Sequence, residues 1–216
     1  MSRYAWLAVV GLAFSLCGCV LDKPLSDPKT AKVDERLLGR WVGVNRPNNP
    51  DAEGSLLWIG RHAVKGNPEG IMEGLAVGYD DKDQMIVGDS PSVSYFSITK
   101  VGSVDMLNVF YEEVPIAPGK KTTTARPADL SHDDSYAAWS ESPSRSSFLF
   151  RYVFDGDQLK FYLVDLDKLE ALAKAGELKK QGELITAESL AAYIEKNGAD
   201  GLFVGDADMV AYKKAK

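Results

Sequence analysis

The sequence predicts a mainly β fold: an antiparallel barrel or strongly bent sheet, with two helices near the C-terminus. Three observations carry that expectation. Short apolar segments rich in β-branched and aromatic residues recur between turn-forming clusters. One hairpin alternates aromatic and polar residues with period two. Helical patterns enter only after that hairpin.

The strand segments begin with RLLGRWVGV over residues 36–44 and SLLWIGRHAV over 55–64. IMEGLAVGY follows over 71–79, then MIVG from Met85, SVSYFSITKV over 92–101 and DMLNVFYEEV over 105–114. Turn clusters such as KGNPEG and DDKDQ separate them, which suggests an antiparallel meander. The hairpin SSFLFRYVFDGDQLKFYLVDL spans 146–166. Phe148, Phe150, Tyr152 and Phe154 share one face and oppose Leu159, Phe161 and Leu163. The turn is centred on Asp155-Gly156 or on Gly156-Asp157; both registers preserve the faces, with Arg151 and Lys160 pointing away.

A helix is expected from about Asp167 to Ala175, capped by Asp165 or Asp167 and stopped by Gly176. A second opens at Thr186 as N-cap and ends at Gly198, with Leu190, Tyr193 and Ile194 as its apolar stripe. DMVAYKK reads as a final strand returning to the sheet. Residues 112–146 form a long loop, of the length that in compact domains is often functional or disordered.

At the front, Arg3 precedes an uncharged, largely apolar stretch over residues 4–16. Thirteen residues are too few to span a bilayer as a helix, which needs about 20, and the pattern is that of a secretory signal. Both cysteines follow, as LCGC over residues 16–19. A C-x-C metal or disulfide pair is the alternative reading, but zinc needs further ligands at defined spacing and no other cysteine exists. LCGC resembles the lipobox of bacterial lipoproteins, with Cys19 as the lipidated residue and Gly18 before the cut. That resemblance implies a signal peptide over 1–18 and a lipidated Cys19. The polar stretch to residue 35, with two prolines, reads as a tether over 19–35 or, alternatively, as chain packed along the domain, and the length that remains fits a single β-rich domain over 36–216. Val20 stands where an aspartate would retain a lipoprotein in the inner membrane. The implied address is therefore the outer membrane, lipid-anchored and facing the periplasm, with the membrane as first partner.

LLGRWVGV resembles the opening Gly-x-Trp strand of lipocalin-like (calycin) barrels, and the order of strands, aromatic hairpin and late helix is similar to that of lipocalin-like bacterial envelope proteins. The resemblance implies that Trp41 packs across a barrel floor.

The formal charge is −6, and one unit more negative once Arg3 leaves with the signal, which argues against nucleic acid as a partner. Chemistry-bearing motifs are sparse. The two histidines are His62 and His132, and SHDD over 131–134 sets Ser, His and Asp side by side without the spatial arrangement a triad needs. The aspartate clusters fit no calcium loop, and phosphate-cradling glycine motifs are lacking. The expectation is therefore no enzyme, no cofactor and no metal. The aromatic set Trp41, Trp58, Phe148, Phe150, Tyr152 and Phe161 reads as a packed core or, functionally, as the wall of a pocket under the 112–146 loop for a small apolar or amphiphilic ligand. The alternative is a structural or accessory protein that binds another cell-envelope protein.

Overall fold

The structure, a computed structural model, describes residues 21–44, 55–62, 68–79, 85–86, 93–111, 147–206 and 209–215. Eleven strands are present among them: β1 (Gly39–Gly43), β2 (Leu56–Arg61), β3 (Ile71–Tyr79), β4 (Met85–Ile86), β5 (Val93–Val101), β6 (Val104–Tyr111), β7 (Phe148–Asp155), β8 (Gln158–Leu163), β9 (Lys180–Gln181), β10 (Leu184–Ile185) and β11 (Val210–Lys214). The helices are α1 (Leu166–Lys174) and α2 (Ala187–Asn197). Eight strands run in the order β2-β1-β11-β8-β7-β6-β5-β3, and β2 pairs with β3 to close the ring. The result is a closed antiparallel barrel, compatible with the lipocalin-like expectation; β4 adds only to β3, and β9 pairs with β10 outside the barrel.

The aromatic hairpin forms as its alternation predicts. Phe150 pairs with Leu163, Tyr152 with Phe161 and Phe154 with Leu159. Asp155 pairs with Gln158, so the turn is Gly156-Asp157, with Gly156 at φ +60°. The predicted last strand is β11, which fills the gap between β8 and β1. Both helices end in a left-handed glycine, Gly176 after α1 and Gly198 after α2. Asp165 caps α1, its carboxylate accepting from the Lys168 amide at 3.0 Å. Thr186 stands at the N-cap of α2 but donates its hydroxyl to Ser189 Oγ instead.

Cross-strand pairing fixes which side chains face inward. Trp41 shares a face with Leu57, and the series continues around the ring through Phe96, Val109, Phe148, Phe150, Tyr152, Phe161 and Tyr212. Ring contacts agree: Trp41 and Phe154 lie 6.1 Å apart by centroid, and Phe161 and Tyr212 lie 6.0 Å apart. Arg40, Arg151, Lys160 and Lys213 fall on the other face, which is the outside.

Residues 21–35 depart from the expected tether. They lie along the outer wall as a strap. Leu21 is 0% exposed, and it exchanges two backbone hydrogen bonds with Ser147 at 3.2 Å each. The Asp22 amide donates to the Ile185 carbonyl, and the Asp22 carboxylate accepts from the Ala187 amide at 2.8 Å. The α2 cap thus comes from the strap rather than from Thr186. The Leu25 amide donates to Asn108 Oδ1 at 2.9 Å, on the outer face of β6. After a 3-10 turn over Pro28–Thr30, the strap passes so close to Gly70 that an added Cβ there would sit 2.1 Å from the Ala31 carbonyl oxygen. The physical reason is burial: Leu21 and Leu25 contribute to the apolar core, and their amides find fixed acceptors. Under the strap and α2, the outer-face residues Ile71, Tyr95, Ser97, Thr99, Met106, Asn108 and Leu149 are all buried.

Candidate functional site

One end of the barrel is sealed. Residues 34–38 turn beneath the starts of β1, β6 and β8, and we call this end the floor. Leu37 is fully buried, and its carbonyl accepts from Trp41 Nε1 at 2.8 Å. Trp41 is 2% exposed. Lys214, the last residue of β11, lies with Nζ 4.4 Å above the Trp41 ring and donates to the carbonyls of Arg36 and Leu38. The Arg36 guanidinium stands 4.6 Å over the Phe154 ring and pairs with Asp34 at 2.6 Å. Tyr152 donates its hydroxyl to Asp34 Oδ2 at 3.1 Å. The hydrogen bond from Arg36 holds the Asp34 carboxyl below its usual range, against a smaller opposing effect of burial. Burial pushes the Tyr152 phenol up, with the Asp34 charge adding to it, and burial alone pushes Tyr212 up to about 12. Further ion pairs ring this end: Arg61 with Glu35, Lys100 with Asp105, Lys160 with Asp155 and Lys213 with Asp157.

The opposite, upper end is where β1, β3, β6 and β8 finish and where β2, β5, β7 and β11 begin. Residues 45–54, 112–146 and 207–208 lie outside the described residues. Toward the upper end the inward positions include the apolar residues Leu57, Val109, Phe148, Phe150, Phe161, Leu163 and Val210. Leu57, Phe150, Leu163 and Val210 point inward yet are only partly buried. Inward apolar surface that neighbouring protein atoms leave accessible is the raw material of an apolar ligand site.

Of the six aromatic residues expected to line a ligand wall, Trp41, Phe148, Phe150, Tyr152 and Phe161 share the inner face. Trp41 and Tyr152 belong to the floor, and Phe148, Phe150 and Phe161 to the wall above it. Trp58 does not join them: it pairs with Arg40 and Leu75 and therefore faces outward. Leu56, Leu57, Trp58 and Ile59 are consecutive apolar residues, so the sequence has no alternation there from which to choose a face. Cys19, the long loop over 112–146 and His132 lie outside the described residues.

Sequence reasoning missed a buried polar cluster on the outer wall. His62 Nδ1 lies 3.2 Å from Glu73 Oε2, with the two side chains 2% and 6% exposed. The Tyr95 ring meets the imidazole edge-on at 4.7 Å by centroid. A signal existed, since Glu73 is the one charged residue within IMEGLAVGY. A catalytic reading of His62 requires a neighbouring carboxylate in a cleft; the carboxylate is present, but both groups are closed off from solvent. Among the described residues, no group of three or more His, Cys, Asp or Glu side chains is arranged to hold a metal ion. No helix among them is long and apolar enough to cross a membrane. Leu166, at 42%, is the one large hydrophobic side chain that is strongly exposed among the described residues.

Comparison of the chain with models of protein families, with curated proteins and with solved structures finds no match.

Proposed function

We propose that this protein is an outer-membrane-anchored periplasmic lipoprotein whose barrel carries a small apolar or amphiphilic ligand without acting on it chemically. The observation that carries the reading is the apolar inner face above Trp41, where the inward side chains of Leu57, Phe150, Leu163 and Val210 retain accessible surface. A ligand chain would lie along Phe148, Phe150 and Phe161 and end against Trp41 and Tyr152. A polar head, where there is one, would stay at the upper end. Each buried methylene of such a chain contributes about 0.8 kcal/mol, so a medium-length chain supplies binding without any ion pair.

The anchor rests on LCGC and the apolar leader before it. Acylation at Cys19 attaches two or three chains, enough for stable residence in a bilayer. A non-enzymatic role fits the burial of His62 and Glu73, which leaves that pair out of reach of a substrate in water.

Native mass spectrometry of protein extracted from membranes tests both halves. The expected spectrum has the chain starting at an acylated Cys19 and carrying a co-purified apolar or amphiphilic molecule that dissociates on activation. A chain that retains residues 1–18, or a barrel that is empty and takes up no fluorescent fatty acid, overturns the reading.

A further inference from the structure

The strap ties the position of the lipid anchor to one end of the barrel. Leu21 is locked to Ser147, and Ser147 immediately precedes β7, whose first residue Phe148 pairs with Val109 near the end of β6. Ser147 therefore sits at the upper end. Four hydrogen bonds hold this point: two between Leu21 and Ser147, one from Asp22 to Ile185 and one from Ala187 to Asp22. Lys23 adds an ion pair with Glu188. Between Leu21 and Cys19 stands one residue, Val20. Two residue steps of extended chain span roughly 7 Å. The floor lies much farther away. Its strands are six to nine residues long in β2, β3 and β5 through β8, and at about 3.3 Å per residue that separates the two ends by roughly 20 Å or more along the strand.

We propose that the docked strap holds the upper end of the barrel against the membrane surface, so that a phospholipid-like amphiphile passes directly between the bilayer and the aromatic interior. This rests on the reading of Cys19 as acylated and of the barrel as a ligand carrier. The chemistry of the two ends agrees with it. The floor is ringed by ion pairs, whereas the inward residues Leu57, Val109, Phe148, Phe150, Phe161, Leu163 and Val210 toward the upper end are apolar, as acyl chains are. A flexible tether of 15 or so residues would leave either end free to face the bilayer; a strap docked from Leu21 onward does not.

The test uses the full chain, matured in cells and reconstituted into vesicles of phosphatidylethanolamine and phosphatidylglycerol that contain a nitroxide-headgroup lipid. Gly205→Cys reports on the upper end: Gly205 is exposed, an added Cβ meets nothing within 4 Å, and the adjoining Val204 amide bonds to the carbonyl of Leu163, the last residue of β8. Ser103→Cys reports on the floor, from the exposed turn between β5 and β6. With Cys17 removed and Cys19 acylated, each variant has a single thiol for a fluorophore. Quenching is expected to be several-fold stronger at position 205 than at 103. Insertion of a Gly/Ser segment of about 20 residues between Val20 and Leu21, with a reach of roughly 25 Å, is expected to erase that difference. The same insertion is expected to slow transfer of a fluorescent phosphatidylethanolamine from the vesicle to the protein several-fold. Equal quenching at both positions, stronger quenching at 103, or transfer indifferent to the insertion overturns the proposal. Native mass spectrometry on the same samples separates the two failures. A bare Cys19 or an empty barrel removes the functional reading and this one with it, whereas an acylated, lipid-loaded protein with equal quenching removes only the orientation.

Discussion

At the floor, Trp41, Phe154 and Lys214 stack under the 34–38 turn, and every polar group named there has a partner: indole N–H to Leu37, ammonium to Leu38, phenol to Asp34, guanidinium to Asp34. Toward the upper end the inner wall is built from Leu57, Phe148, Phe150, Phe161 and Leu163, and several of these keep accessible surface. Both regions belong to one ring of strands, so the difference lies in what plugs each end. A plugged end converts aromatic side chains into stability. Side chains that keep accessible surface are the ones a ligand could contact. Substitutions at the two ends should therefore separate stability from binding.

The largest effect is expected from Trp41→Ala. A buried tryptophan truncated to alanine costs about 3–5 kcal/mol, and here the Leu37 carbonyl also loses its indole donor and the Lys214 ammonium its ring contact. Denaturant unfolding should show a markedly lower midpoint. Phe150→Ala should cost clearly less, because Phe150 is only partly buried, yet it should abolish uptake of a fluorescent fatty acid. Equal losses of stability in the two variants would mean that the upper interior is a filled core, and the contrast between the ends would fail.

Next in size are substitutions under the strap. Gly70→Ala places a methyl group 2.1 Å from the Ala31 carbonyl oxygen, where backbone and not a flexible side chain must move. Overpacking of this kind costs about 1–3 kcal/mol. Asn108→Ala removes the acceptor of the Leu25 amide in a part-buried setting, for a loss of the same order, about 1–3 kcal/mol. Amide exchange should localise both losses to residues 21–33, with protection at the floor unchanged. A uniform loss of protection would show that strap and floor unfold as one unit.

The barrel was legible in the sequence wherever pairing is local and alternation clean. Phe148 to Phe154 give the inner face of the hairpin at once, and Gly156 marks its turn, although only the structure chooses between the two registers. Trp41, between Gly39 and Gly43, sits at the floor as the Gly-x-Trp resemblance implies. Trp58 was not legible, because a run of four apolar residues has no phase. The strap was illegible for a different reason. Between its two prolines it reads as a polar linker, and its partners stand 83 residues away at Asn108 and 165 away at Ala187. No local pattern encodes such contacts. They arise only after β6 and α2 offer an acceptor and an uncapped helix end at matching heights. The same distance hid the use of Asp34 at the floor, whose hydroxyl donor Tyr152 is 118 residues on.

Asp34 gives the finest probe of the floor. Its carboxyl is held below the ordinary value of 3.8, chiefly by the Arg36 hydrogen bond. The unfolded chain therefore takes up a proton at Asp34 before the native state does as the pH falls. The stability Asp34 contributes is present in full above the unfolded value and is lost as pH drops through the lower native one. Thermal midpoints of wild type and Asp34→Asn should thus differ most at neutral pH and converge below about pH 3.8. Tyr212 works from the other side. Its burial raises the phenol from 10.0 to about 12, so the unfolded chain ionises first as pH rises, and stability falls between those values. Tyr212→Phe should remove that alkaline loss and leave the acid limb unchanged.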